Sequence, residues 1–425
     1  MNTAKAKEKF DADIVVIGGG PAGLLAAGRA GELGAKVILI EKNQRPGLKL
    51  LMTGGGRCNI TQGEFDDKKF VEKLGGNGSF LFSALAAFGP DETMKFFENL
   101  GLELKTERGR RVFPVSDKAQ DVLDVLLKYI NKNKVEMLLG REVVGFKIKD
   151  GLIESVKLKD REIAAKAFIL CTGGKSFPQT GSSGSGYDWA RQMGHKIIEP
   201  APALVPVETK ESWVHLVQGL TLKNVSVTLL QKDKEKDYRF GEMLFTHFGL
   251  SGPIILDLSK KIGELLAAGE AVLKIDLKPA LDVLTLDKRL QRDFKSNRIF
   301  KNYLPELVPQ KLGEVIVRFS KINPEKKVNS ITKEERLKLI QALKSLKINA
   351  RGLVGFSQAI VTSGGVDTKE ISSKTLRSNK INNLFFAGEI IDLDGPTGGF
   401  NLQICWSTAY AAGTNAAGLV KSANI

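Results

Sequence analysis

Gly18-Gly19-Gly20-Pro21-Ala22-Gly23 follows directly on the apolar run from Asp13 to Ile17 (DIVVI) and leads into LLAAGRAGEL, whose apolar residues suit a buried helix. A second apolar run, Ala35 to Ile40 (AKVILI), ends in Glu41, 18 residues after Gly23. Strand, glycine turn, helix, strand and acid in this order constrain the fold more than any other feature of the chain. Each piece has a physical task in dinucleotide binding. Gly18 permits the tight turn, Gly20 lets backbone approach a diphosphate, and Gly23 lets the helix pack closely on the strand. The helix that opens at Pro21 and Ala22 turns its free N–H groups and its positive dipole end towards the phosphates. Glu41 suits a ribose diol, which favours NAD or the AMP half of FAD over NADP.

The next segment separates NAD from FAD. After Glu41 and Lys42 the chain reaches Lys49 and then Thr53-Gly54-Gly55-Gly56-Arg57-Cys58-Asn59, too rich in glycine for the interior of a helix or strand. A loop of backbone amides with one guanidinium, directly behind the ribose-binding strand, can run along a long ligand towards its far ring. NAD-dependent Rossmann enzymes need no such loop here. Lys42, Lys49, Thr53, Gly54, Gly55, Arg57, Cys58 and Asn59 are therefore counted with the cofactor site.

Two distant segments have matching character. Phe168 to Leu170 continues as Cys171-Thr172-Gly173-Gly174, a hydrophobic strand ending in small residues. Leu384 to Ala387 is another such strand, ending in Gly388-Glu389, an acid suited to the ribityl hydroxyls of FAD. Gly398-Gly399-Phe400-Asn401-Leu402 then opens a small-residue helix expected from about Asn401 to Leu419. Its N-terminus can aim N–H groups at the flavin N1/C2 carbonyl region, where negative charge gathers in the reduced ring.

With these segments in view, the sequence resembles a family of flavoproteins that includes aminoacetone oxidases and bile-acid dehydro-steroid reductases, built on the glutathione-reductase superfold. GGGPAG, TGGGRCNIT, GRRVFPVSDKA, TGGKSFPQTGSSGSGY, PALVPVE, GEMLFTHFGLSGP, NARG, VTSGGVDTKEI and LFFAGEIIDLDGPTGGFNLQ carry the likeness in order along almost the whole chain. Ser185 stands where the family commonly has an acid, so no role of that acid is carried over. The resemblance implies that Thr172, Gly173 and Gly174 pass beside the dinucleotide and that backbone at Val143 holds the adenine. It also implies an FAD domain interrupted by an insertion.

The fold class expected is α/β: a Rossmann-type FAD-binding domain with an inserted β-barrel-like part and a small helical part. Residues 1–192 and 352–425 are assigned to the FAD domain, 193–280 to the barrel-like part and 281–351 to the helical part. The short runs LVPVE, VSVTLL and VLKIDL support the barrel. Thr332-Lys333-Glu334-Glu335 is a capping box that predicts a helix with Leu337, Ile340, Leu343 and Leu346 on one face.

Composition is that of an ordinary folded protein, with 42% hydrophobic and 26% charged residues among 425. No apolar run reaches the ~20 residues of a membrane helix and MNTAKAKEKF is no signal peptide, so a cytoplasmic location without membrane attachment is expected. Cys58, Cys171 and Cys405 contain no CxxC pair, which argues against a disulfide framework or dithiol centre; no metal site is expected. Formal charge is +15, and Lys274 to Ser345 holds 17 Lys/Arg against 9 Asp/Glu. No nucleic-acid motif accompanies that charge, so it reads as a solvated lysine-rich helical surface and nucleic acid is not expected as a partner.

Flavin N5 exchanges a hydride, which leaves the protein to place a substrate and handle one proton. The histidines are His195, His215 and His247. His195 reads as a helix C-terminal residue complementing the dipole. His247, in LFTHFGLSGP, is the candidate catalytic residue. No second GxGxxG follows a strand, so NAD(P)H, if it is the donor, visits the flavin transiently. Two function classes remain open: an FAD oxidoreductase acting on a small or steroid-like molecule, as reductase of an activated C=C bond or as oxidase, and an FAD-dependent tRNA-modifying enzyme. A flavin-binding sensor is a third. Substrate identity and oligomeric state are left open.

Overall fold

The run that begins at Ala12 becomes strand β1 (Ala12–Ile17), the centre of a seven-stranded sheet. Both faces of such a strand are covered, which is why its residues are apolar without alternation. β1 pairs in parallel with β2 (Val37–Glu41) on one side and with Glu162–Leu170 on the other. Glu136–Leu139 extends the sheet beyond β2, and Leu384–Phe386 adds in parallel to Glu162–Leu170. Leu152–Leu158 and Val143–Lys149 continue it antiparallel. The computed structural model describes residues 10–422.

Register decides where the site lies. Ile17 pairs with both Ile40 and Leu170, and Leu170 pairs with Phe386, so four parallel strands end at one level. The residues one step beyond that level are Gly18, Glu41, Cys171 and Ala387. In open parallel sheets ligands bind outside the carboxyl ends of the strands.

Helix α1 (Pro21–Glu32) crosses from β1 to β2 with an almost wholly buried face of Ala, Leu and Gly. The C-terminal helix, Phe400–Ser422, starts one residue before and ends three after the expected range. It lies close against α1: a Cβ on Gly413 would stand 2.6 Å from the Ala26 carbonyl oxygen.

The chain divides into two compact units, one running to Pro202 and resuming at Ile360, the other Ala203–Ala359. In the second, Val207–Thr209, Gly249–Ser251, Lys234–Phe245, Thr221–Gln231, Val272–Asp276 and Leu346–Leu353 close an antiparallel barrel. The helices between its last two strands share its core: Leu286, Leu290, Phe300, Leu339 and Leu343 belong to the same buried cluster as Val227, Leu273 and Ile275. The barrel-like and helical parts are thus one unit. The chain leaves the barrel for the helices and returns at Leu346 to complete it.

The capping box forms, with Thr332 Oγ1 accepting from Glu335 N at 3.2 Å and Glu335 Oε2 accepting from Thr332 N at 2.8 Å. The buried face of that helix differs from the expected one. It comprises Leu339, Ile340, Ala342 and Leu343, while Leu337 is exposed and Leu346 starts the final barrel strand. Among the described residues no helix is long and apolar enough to cross a membrane.

Candidate functional site

The three motif glycines differ in what surrounds them, and the difference matches their assigned tasks. Gly18 has φ +106°, and a Cβ there would lie 2.4 Å from the Cys171 carbonyl oxygen. A Cβ on Gly23 would lie 1.8 Å from the Gly18 carbonyl oxygen, so only glycine lets α1 sit this close to the strand end. Around Gly20, the residue preceding α1, nothing lies within 4 Å of the Cβ position. The N-terminus of α1 has no side-chain cap and carries Pro21 in its first turn, leaving an open cradle at the positive helix end.

Glu41 is 8% exposed at the end of β2. Its Oε2 accepts from Gly19 N at 2.7 Å and its Oε1 from Asn43 N at 2.8 Å. These bonds fix the carboxylate beside the glycine turn, and each oxygen keeps a lone pair for a ribose hydroxyl.

One cavity gathers the strand ends. Its empty volume is about 1330 Å³ including the open mouth. Of the residues singled out in the sequence, Gly18, Gly20, Pro21, Ala22, Glu41, Lys42, Lys49, Thr53, Val143, Thr172, Gly173, Glu389, Asn401 and Leu402 line it. Glu389 is anchored from two sides, accepting from Lys49 Nζ at 2.6 Å and from Thr362 N at 2.7 Å. Thr172 Oγ1 is buried without a hydrogen-bond partner against Gly186, where a Cβ would stand 2.0 Å from it, so only glycine fits there. An open phosphate cradle and an acid fixed beside it, in one cavity that also takes in Thr172, Gly173, Glu389 and the start of the C-terminal helix, fit an FAD.

The remaining singled-out residues stand behind or beside this lining. Gly23 and Gly388 pack against neighbouring elements, and a Cβ on Gly174 would stand 2.3 Å from Thr362 Oγ1. Gly54 and Gly55 form a left-handed turn, with φ +58° and +68°. Arg57 bonds Glu107 at 2.9 Å and lies 3.9 Å over the Phe113 ring. Cys58 is fully buried, and burial pushes its thiol up to about 12, so it is held protonated. Asn59 leaves Oδ1 buried and unpartnered. Gly398 and Gly399 have φ +113° and +103°, and a Cβ on Gly399 would strike the Thr61 backbone at 2.3 Å. Phe400 packs on Phe70, ring centroids 4.8 Å apart.

The cavity also includes Asn43, Arg141, Thr180, Gly181, Ser182, Ser185, Trp189, Ile360 and Val361, none of them assigned from the sequence. Asn43 Nδ2 donates to the Thr180 carbonyl at 3.0 Å and Lys42 Nζ to Ser183 Oγ at 3.0 Å, closing one wall. The TGSSGSGY stretch was the available signal for that wall.

His195 is buried, its Nε2 2.8 Å from Ser378 Oγ and its Nδ1 3.2 Å from the Ala190 carbonyl. Burial lowers its pKa, so it serves the helix end as a neutral hydrogen-bond donor, where the sequence suggested a dipole-complementing cation. His247 is exposed in the turn between Lys234–Phe245 and Gly249–Ser251, its ring edge-on to Phe248 at 4.8 Å.

Comparison with known proteins places this geometry. The HI0933-like protein Rossmann domain family matches residues 12–415. A ribosomal RNA dihydrouridine synthase of Escherichia coli K12 is 32% identical over 404 residues, covering 95% of this chain and 97% of that protein. A 3-dehydro-bile acid delta(4,6)-reductase of Clostridium scindens is 32% identical over 411 residues, covering 95% and 98%. Among solved structures, the open conformation of a flavocytochrome c3 fumarate reductase superposes with a TM-score of 0.53 at 18% identity over 96% of this chain and 78% of that one, a likeness of fold. The chain belongs to the HI0933-like family of Rossmann FAD-binding proteins and is an FAD-dependent oxidoreductase.

Proposed function

We propose that the protein reduces a C=C bond conjugated to a carbonyl. The observation that carries this reading is the chemistry common to two full-length relatives. Dihydrouridine is uridine whose C5=C6 bond, conjugated to the C4 carbonyl, has gained two hydrogens; a delta(4,6)-reductase of a 3-dehydro-bile acid likewise saturates bonds conjugated to a 3-oxo group. Net addition of a hydride and a proton across a C=C bond conjugated to a carbonyl, with the hydride at a carbon made electrophilic by that conjugation, describes both.

FAD, when bound, supplies the hydride through N5. In this reading Glu41 binds the adenosine ribose, the α1 N-terminus the diphosphate and Val143 the adenine. Thr172, Gly173 and Glu389 run along the ribityl chain. The start of the C-terminal helix directs N–H groups at the flavin pyrimidine edge, stabilising the charge that builds on reduction. His247 is the proposed proton handler, and NAD(P)H the proposed transient donor.

The test is anaerobic: the flavin is reduced with NADH or NADPH, then mixed with a cyclic enone, a 3-oxo-Δ4 steroid, or a uridine-containing RNA. Acceleration of flavin reoxidation with formation of the saturated product supports the reading. Reoxidation by oxygen alone, with amines as reductants, would replace it with an oxidase.

RNA as the substrate carrier is a second reading. The formal charge of +15 favours it, since phosphate attraction dominates nucleic-acid affinity.

A further inference from the structure

The outer face of the barrel carries a row that the cavity chemistry does not use. In antiparallel ladders, residues directly opposite each other share a face. Tyr238 is opposite Thr228, Thr228 opposite Lys274, and Lys274 opposite Lys347, so these four side chains cross four strands on one face. In the next row Phe240 is opposite Ser226, and Ser226 opposite Asp276. Tyr238 and Phe240 are 47% and 53% exposed, two neighbouring aromatics on a strand of a folded barrel. On the strand between, Thr228 and Ser226 are short side chains: Thr228 separates Tyr238 from Lys274, and Ser226 separates Phe240 from Asp276. Strand spacing puts those edges roughly 10 Å apart. Asp276 is neutralised by Lys344 at 2.6 Å, while Lys347 pairs with the highly exposed Asp233 at 3.1 Å.

The geometry points to a docking face for single-stranded RNA, with bases stacked on Tyr238 and Phe240 and the backbone phosphates beside Lys274 and Lys347. The inference rests on the RNA reading above. An apolar partner would not match the lysine edge, and a solvated lysine surface gives no reason for two exposed aromatic rings. Bases offer π faces whatever their sequence, and a sheet surface with aromatics and cations is how many single-strand binders hold them.

The experiment measures binding of a labelled unstructured RNA oligonucleotide to the FAD-loaded protein across a salt series. Wild-type, Tyr238→Ala/Phe240→Ala and Lys274→Ala/Lys347→Ala proteins are compared. The aromatic variant is expected to bind about ten-fold or more weakly. The lysine variant is expected to bind more weakly and to lose about 1.4 from the slope of log K against log salt. Thermal unfolding, flavin content and reoxidation by a small enone should stay at wild-type values, because none of the four residues belongs to the cofactor cavity. RNA binding unchanged in both variants overturns the docking face and leaves RNA as substrate standing. No RNA binding by wild-type protein at low salt overturns both. A wild-type dimer that becomes monomeric in the aromatic variant, with RNA affinity unchanged, assigns the face to a second copy of the chain and overturns the inference.

Discussion

Lys49 Nζ donates to Glu389 Oε2 at 2.6 Å, an ion pair between residues 340 positions apart. Both side chains are about one-fifth exposed or less, so the pair is only partly screened. Glu389 also holds the Thr362 amide, which makes it a junction of three chain segments. A double-mutant cycle of Lys49→Ala and Glu389→Ala by denaturant unfolding should give a coupling of about 1.5 to 3 kcal/mol. Additive effects would show that the pair holds nothing together.

Gly20 and Gly23 should fail in different ways. No atom lies within 4 Å of a Cβ at Gly20, so the Gly20→Val apoprotein should unfold near the wild-type denaturant midpoint yet retain no FAD, because the side chain occupies the cradle. Gly23→Ala drives a Cβ against the Gly18 carbonyl and should lower the midpoint even without cofactor. Wild-type flavin content in Gly20→Val would contradict the placement of the diphosphate.

Glu41→Ala removes a carboxylate that binds two backbone amides and, in the proposed site, the ribose. Each charge-assisted hydrogen bond lost should cost about 1.5 to 3 kcal/mol of FAD affinity or local stability. Ultrafiltration should show released flavin, while the rate of hydride transfer in protein saturated with FAD changes little. An unchanged dissociation constant means another group holds the ribose.

His247→Asn tests the proton handler by comparing half-reactions. Flavin content should be normal and reduction by a nicotinamide nearly so, while reoxidation by the unsaturated substrate slows roughly 10² to 10⁴-fold. Equal slowing of both halves, or of neither, removes His247 from the chemistry.

His195 makes stability depend on pH. Its pKa in the folded protein lies below the unfolded value near 6.5, so the unfolded chain takes up the proton first as pH falls. The contribution of this group is complete above that value and is lost on acidification towards the lowered folded pKa. Urea midpoints at about pH 7.5 and 5.5 should therefore differ more in wild-type protein than in His195→Gln.

Local chemistry made half of the site readable. Gly18, Gly20, Gly23 and Glu41 sit at spacings set by one strand, one turn and one helix, and such spacings survive in the sequence. Thr180 to Ser182, Trp189 and Val361 reach the cavity through pairings between distant strands and loops, which leave no period to read. The ends of the second compact unit, Ala203 and Ala359, differ from the expected 193 and 351 for the same reason. The strand starting at Ile197 pairs with Val361–Val366, so the first unit extends to Pro202. Arg57, a guanidinium in a glycine loop, bonds Glu107 and lies over the Phe113 ring, contacts between distant segments that the loop sequence does not announce.

Because the cavity is walled by residues near both termini, its assembly has an order in time. A nascent chain that has emerged through Ala359 has every strand of the barrel, since Leu346–Leu353 closes it. The same chain still lacks Leu384–Phe386 beside Phe168–Leu170, and with it Glu389, Asn401 and Leu402. A chain ending at Ala359 is therefore expected to close its barrel yet retain no flavin, since half of the proposed cofactor wall follows that point.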